Sequence, residues 1–112
     1  MNWTHLTTEA ALTEAIAVSQ ESDIIIFKHS TRCAISGAAL ARLERAWQDN
    51  TPVKPFFLDL IQYRDLSNKV AATFKVVHES PQVLFIRKGV CIYDASHIAI
   101  SYEDIKAQVL VA

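Results

Sequence analysis

Residues 23–27, Asp-Ile-Ile-Ile-Phe, are a run of β-branched and aromatic side chains without polar alternation, the pattern of a central strand covered on both faces. A strand of that kind needs a packed layer on each side, so the rest of the chain must supply helices above and below it. The next periodic segment is helical. From Ala34 to about Gln48, Ala39, Leu40, Leu43, Ala46 and Trp47 fall on one face, while Arg42, Glu44, Arg45 and Asp49 point away. Asn50-Thr51-Pro52 stops it, and residues 55–61, PFFLDLI, give a second apolar strand. Two such strands joined through a helix are parallel.

The remaining segments extend this pattern. Thr7 or Thr8 caps a helix running to about Ser19, with Leu12, Ala15, Ile16 and Ser19 at helical spacing and Glu9 at its positive end. Arg64 to Phe74 reads as another helix, because Leu66, Val70 and Phe74 repeat every four residues. QVLFI (82–86) and VCIYD (90–94), separated by Arg87, Lys88 and Gly89, read as a hairpin. A last helix begins at Ser101, with Glu103 and Asp104 in its first turn. Trp3 to Leu6 leaves an edge strand open. The expected class is α/β: a mixed sheet with helices on both faces, in one domain spanning residues 1–112.

Charge and cysteine count exclude several functions. Eleven Lys and Arg against twelve Asp and Glu give a net charge of -1, with no basic cluster to neutralise phosphates, so no nucleic-acid partner is expected. The first twenty residues lack the basic start and sustained apolar run of a secretory signal, and no stretch has the length of a membrane span. Cys33 and Cys91 form neither a disulfide framework nor a zinc set, so the expected compartment is a reducing cytoplasm, with no metal and no bound cofactor.

Cys33 stands where the first strand gives way to the second helix. A thiol there meets unpaired backbone N–H groups and the positive end of the helix dipole, both of which favour thiolate, and Arg32 adds a neighbouring positive charge. Three residues on, where two-cysteine oxidoreductases carry a second thiol, stands Ser36. Two readings of Ser36 stand side by side, a hydrogen bond to the Cys33 sulfur or a helix cap, but neither lets it attack a mixed disulfide. Ser80-Pro81 opens the strand 82–86. A cis bond there leaves the Ser80 backbone free to pair with an extended substrate beside the sulfur, and a trans bond makes it an ordinary strand start. His29, His78 and His97 are candidates for proton transfer or for lining the site. Cys91, among apolar neighbours, reads as a small buried hydrophobe, and Lys28 and Arg64 as solvated charges.

FKHSTRCAIS, HESPQ and ASH (95–97) together resemble the YtxJ family of thioredoxin-like proteins, the monothiol bacilliredoxins of the bacillithiol system. The resemblance covers nearly the whole chain and implies a thioredoxin-like fold. The family carries a motif close to TCPIS after FKHST, which places the nucleophile at Cys33 and the serine at Ser36, with Ala34 in place of the family's proline. The implied activity is that of a monothiol thiol–disulfide oxidoreductase acting on S-thiolated proteins, with bacillithiol as co-substrate. The alternatives are a non-catalytic thioredoxin-fold module for binding or redox sensing, and an iron–sulfur carrier like the monothiol glutaredoxins. Those proteins resemble this chain in their single cysteine, but it lacks their Gly-Gly pair after the proline loop.

Overall fold

The computed structural model describes residues 1–112. Five strands form one sheet in the order β1-β3-β2-β4-β5. β2 (Asp23–His29) lies at its centre, parallel to β3 (Val53–Asp59) and antiparallel to β4 (Gln82–Arg87). β5 (Val90–Ser96) forms the hairpin with β4, and the open N-terminal segment becomes β1 (Thr4–His5), parallel to β3 at one edge.

Helix α1 (Glu9–Ser19) starts where Thr8 accepts the Ala11 N–H at 3.0 Å, and α4 (Tyr102–Val109) where Ser101 accepts that of Asp104 at 3.1 Å. Between them lie α2 (Ala34–Ala46), α3 (Arg64–Phe74) and a 3-10 turn, His97–Ala99.

The unbroken apolar run of β2 follows from its two covered faces. Ile24 and Ile26 pack with Leu58, Leu84 and Ile86 beneath α1 and α3, while Ile25 and Phe27 pack with Val83 and Phe85 beneath α2 and α4. Each is fully buried, contributing about 1.5–3 kcal/mol, and Ile25→Ala would cost about 2–5 kcal/mol by leaving a cavity.

Three details differ from the sequence reading. β3 starts and ends two residues earlier than residues 55–61: its start pairs Val53 with Asp23, and at its end the Asp59 carboxylate accepts the N–H groups of Ile61 and Gln62 and turns the chain out of the sheet. α2 ends at Ala46, and Trp47 leaves the helix to pack edge-on against Tyr102. Arg42 does not point away: its guanidinium donates to the Ile100 carbonyl at 3.0 Å and to that of His97 at 3.4 Å, tying α2 to the 3-10 turn.

The register places the site. Lys28 pairs with Gln82 in the last rung joining β2 and β4, so the chain leaving β2 toward Cys33 and the chain entering β4 from His78 share one end of the sheet.

Candidate active site

Cys33 is the N-cap of α2, with extended backbone angles (φ -121°, ψ 120°) and a carbonyl that accepts the Gly37 N–H at 3.1 Å. Its side chain is half-buried and unpaired in any disulfide. It makes no capping hydrogen bond, which leaves the start of α2 without a side-chain cap. Arg32 is exposed beside it and belongs to none of the molecule's ion pairs, leaving its charge to solvent and to whatever approaches the sulfur.

The Ser36 hydroxyl is fully buried and turned toward the end of β2. It accepts the Ser30 N–H at 3.0 Å and lies 2.7 Å from His29 Nδ1, so it neither caps α2 nor bonds to the sulfur. Its contacts brace the 30–33 turn that carries Cys33, a turn also closed by the Cys33 N–H on the Ser30 carbonyl at 3.2 Å. Burial pushes His29 below its usual value against the opposing pull of Asp59 and Glu44, which favours a neutral ring beside the hydroxyl.

At the same end of the sheet, the Ser80-Pro81 peptide is cis and Pro81 is buried. The Ser80 hydroxyl is buried without a partner. The Pro81 carbonyl accepts the His97 N–H at 3.0 Å, and His97 itself has positive φ (58°), with its ring exposed and 3.9 Å from Glu79. The Arg42 clamp, the His97 turn and the proline loop therefore form one connected support on the α2 face.

The three histidines do not converge. His29 faces Ser36, His97 lies at the outer turn, and His78 contacts Lys28 and Ser67 on the opposite face of the sheet. None hydrogen-bonds to Cys33.

Lys28 is the clearest departure from the sequence reading. Rather than solvated, it is fully buried on the central strand, where its amine donates to the Ser67 carbonyl at 3.2 Å and lies 3.2 Å from His78 Nδ1. Burial lowers its pKa to about 8. Strand parity carried the signal, because Lys28 continues the Ile24, Ile26 face. Arg64, the first residue of α3, is exposed as expected.

Cys91 is half-buried on β5 opposite Ile86, four residues along β4 from Gln82, which puts it about 14 Å from the Cys33 end of the sheet. Its thiol contacts the Tyr93 carbonyl at 3.3 Å, and burial pushes its pKa up.

The family model described as monothiol bacilliredoxin BrxC matches residues 4–105. The chain belongs to the monothiol bacilliredoxin family. Among solved structures, a candidate oxidoreductase with a thioredoxin fold is 26% identical to this bacilliredoxin, covering 93% of it and 89% of its own chain with a TM-score of 0.79. Thioredoxin from Malassezia sympodialis is 11% identical over 96% of the chain and 88% of its own, TM-score 0.75. Thioredoxin from Fasciola hepatica is 18% identical over 94% of each, TM-score 0.69. At such identities these two likenesses concern fold alone. The fold is thioredoxin-like, and family and fold together support thiol–disulfide redox chemistry. Where the bacilliredoxin motif has proline this member has Ala34, an exposed first residue of α2, and the helix still begins there.

Proposed function

We propose that this bacilliredoxin removes a small thiol from S-thiolated proteins, with Cys33 as the nucleophile and bacillithiol as the small thiol. The Cys33 thiolate attacks the small-thiol sulfur of the mixed disulfide, and the protein sulfur leaves with the bond's electron pair and takes a proton from solvent. The small thiol is then disulfide-bonded to Cys33. A second thiolate attacks its sulfur, releasing Cys33 as thiolate and a small-molecule disulfide, so each cycle consumes one external thiol and moves one disulfide bond from the protein to the small molecule.

The observation that carries this reading is the isolation of the Cys33 sulfur at an uncapped helix start, with the other cysteine about 14 Å down the sheet and no thiol at position 36. Release therefore has to come from outside. Ile35 and Ile98, 55% and 88% exposed on α2 and the 3-10 turn, supply apolar surface suited to a protein substrate.

The test incubates the protein with bacillithiolated and glutathionylated peptides and excess recycling thiol, following release by mass spectrometry. Many turnovers with the bacillithiolated peptide, and on the order of a thousandfold fewer for Cys33→Ser, are expected. A Cys33→Ser protein as active as wild type would remove Cys33 as nucleophile, and release limited to one equivalent would identify a binding or sensing module instead.

A further inference from the structure

Beneath α1 and α3, the face of β2 and β4 is apolar until its last rung, where two polar side chains lie side by side: Lys28 and its register partner Gln82, 0% and 1% exposed. Burying an ammonium and an amide is unfavourable unless both are hydrogen-bonded, and apolar side chains would pack there without that cost. Their hydrogen bonds converge on one segment. Gln82 Nε2 donates to the Val77 carbonyl at 3.0 Å, and its Oε1 accepts the Glu79 N–H at 3.4 Å. Lys28 Nζ lies 3.2 Å from His78 Nδ1, with the Ser67 hydroxyl 3.4 Å from the same nitrogen. All three residues before Ser80-Pro81 are thus held from the face opposite α2.

We infer that Lys28 and Gln82 are positioning residues that fix the Ser80-Pro81 loop at the Cys33 end of the sheet, acting through His78 and the backbone of Val77 and Glu79. The inference rests on the reading of Cys33 as nucleophile and of that loop as the surface that presents the substrate. It adds a polar support on the face of the sheet that the chemistry does not use.

The Lys28–His78 contact accommodates one proton. While Lys28 is an ammonium it can only donate, so His78 Nδ1 must offer its lone pair, with the ring proton on Nε2. A second proton would set two cations 3.2 Å apart. The charged groups facing His78 are Lys28 from β2 and Arg64 from α3, which oppose its protonation together with burial, and Glu79 from the loop, which favours it; the balance lies toward the neutral ring. Acid that protonates His78 therefore releases the loop from Lys28.

The test uses Lys28→Met, which keeps the chain length and removes the donor, and His78→Gln, at a half-buried position where the amide oxygen can still accept from Lys28. For Lys28→Met, the KM for a thiolated peptide is expected to rise about tenfold, while alkylation of Cys33 by iodoacetamide stays within about twofold of wild type. Exchange of the Glu79 amide, read by NMR, should accelerate about tenfold. In wild type KM should climb as the solution is made acid, and in His78→Gln that climb should disappear. Unchanged KM and Glu79 exchange in both variants would overturn the inference, as would a fall in Cys33 alkylation matching the rise in KM, because the residues would then act on the sulfur. Absence of turnover in wild type would refute the proposed function alone, since amide exchange reads the loop without it.

Discussion

Cys33 and Cys91 carry the same side chain at opposite ends of one sheet. Cys33 lies outside the sheet, at the start of a helix and beside the exposed Arg32. Cys91 lies within β5, packed against the core beneath α1, with its sulfur against the Tyr93 carbonyl. Burial pushes the Cys91 thiol up; backbone hydrogen bonds at Tyr93 and Phe85 pull it back, and Asp94 pushes with the burial. Identical intrinsic chemistry thus meets two settings: the backbone holds one thiol in the turn at 30–33 before a helix and the other within a strand.

The strongest way to break this contrast is to delete each sulfur in turn. Cys33→Ser should lower turnover of a thiolated peptide by on the order of a thousandfold, and Cys91→Ala should leave it within about twofold. Equal losses would mean that Cys91 takes part in the cycle despite its distance. Next in size is alkylation at pH 7. Iodoacetamide should label Cys33 about a hundredfold faster than Cys91 by peptide mapping, because the thiolate reacts and the buried thiol stays protonated. Comparable rates would erase the distinction that the two backbones impose.

Much of this arrangement is legible in the amino-acid sequence. The uninterrupted run 24–27 announces a strand buried on both faces, the hairpin follows from local chemistry, the first helix's cap narrows to Thr7 or Thr8, of which the structure uses Thr8, and Cys33 falls at the start of α2. What stayed hidden depended on long-range register. By its charge alone Lys28 reads as solvated, whereas its place on the central strand forces it inward regardless of charge. Arg42 looked outward on a helical projection, which cannot show the two carbonyls that the 3-10 turn brings to it. Ser36 illustrates the same limit at shorter range: its partners, Ser30 and His29, lie only six and seven residues away, but their direction depends on how the turn folds back.

Ser36 also sharpens the contrast between the sulfurs, since its hydroxyl braces the turn around one of them. Ser36→Ala would leave the Ser30 N–H buried without its acceptor and free the His29 ring, at a cost of about 1–3 kcal/mol in unfolding free energy from denaturant titration. Turnover should fall far less than in Cys33→Ser, because the helix start and the sulfur remain. A loss of activity as large as that of Cys33→Ser, in a protein of unchanged stability, would instead give the hydroxyl a direct part in the chemistry.

The smallest expected effect concerns Cys91 in alkaline solution. Its folded thiol ionises above the ordinary thiol range, so the unfolded chain gives up that proton first as pH rises. The stabilisation is complete below the unfolded value and is lost as pH climbs through the folded one. Tyr93, raised chiefly by burial, acts in the same direction at higher pH. Lys28 acts oppositely: its folded pKa is depressed to about 8, so the penalty for burying its charge is relieved between there and the ordinary lysine range. One stability curve mixes all three contributions. The difference between wild type and Cys91→Ala isolates the thiol, and that difference should shrink steadily as pH rises above the ordinary thiol range, by less than the cost of Ser36→Ala. A difference flat across that range would place the Cys91 sulfur in a solvated setting and leave exposure, rather than backbone environment, unable to separate the two cysteines.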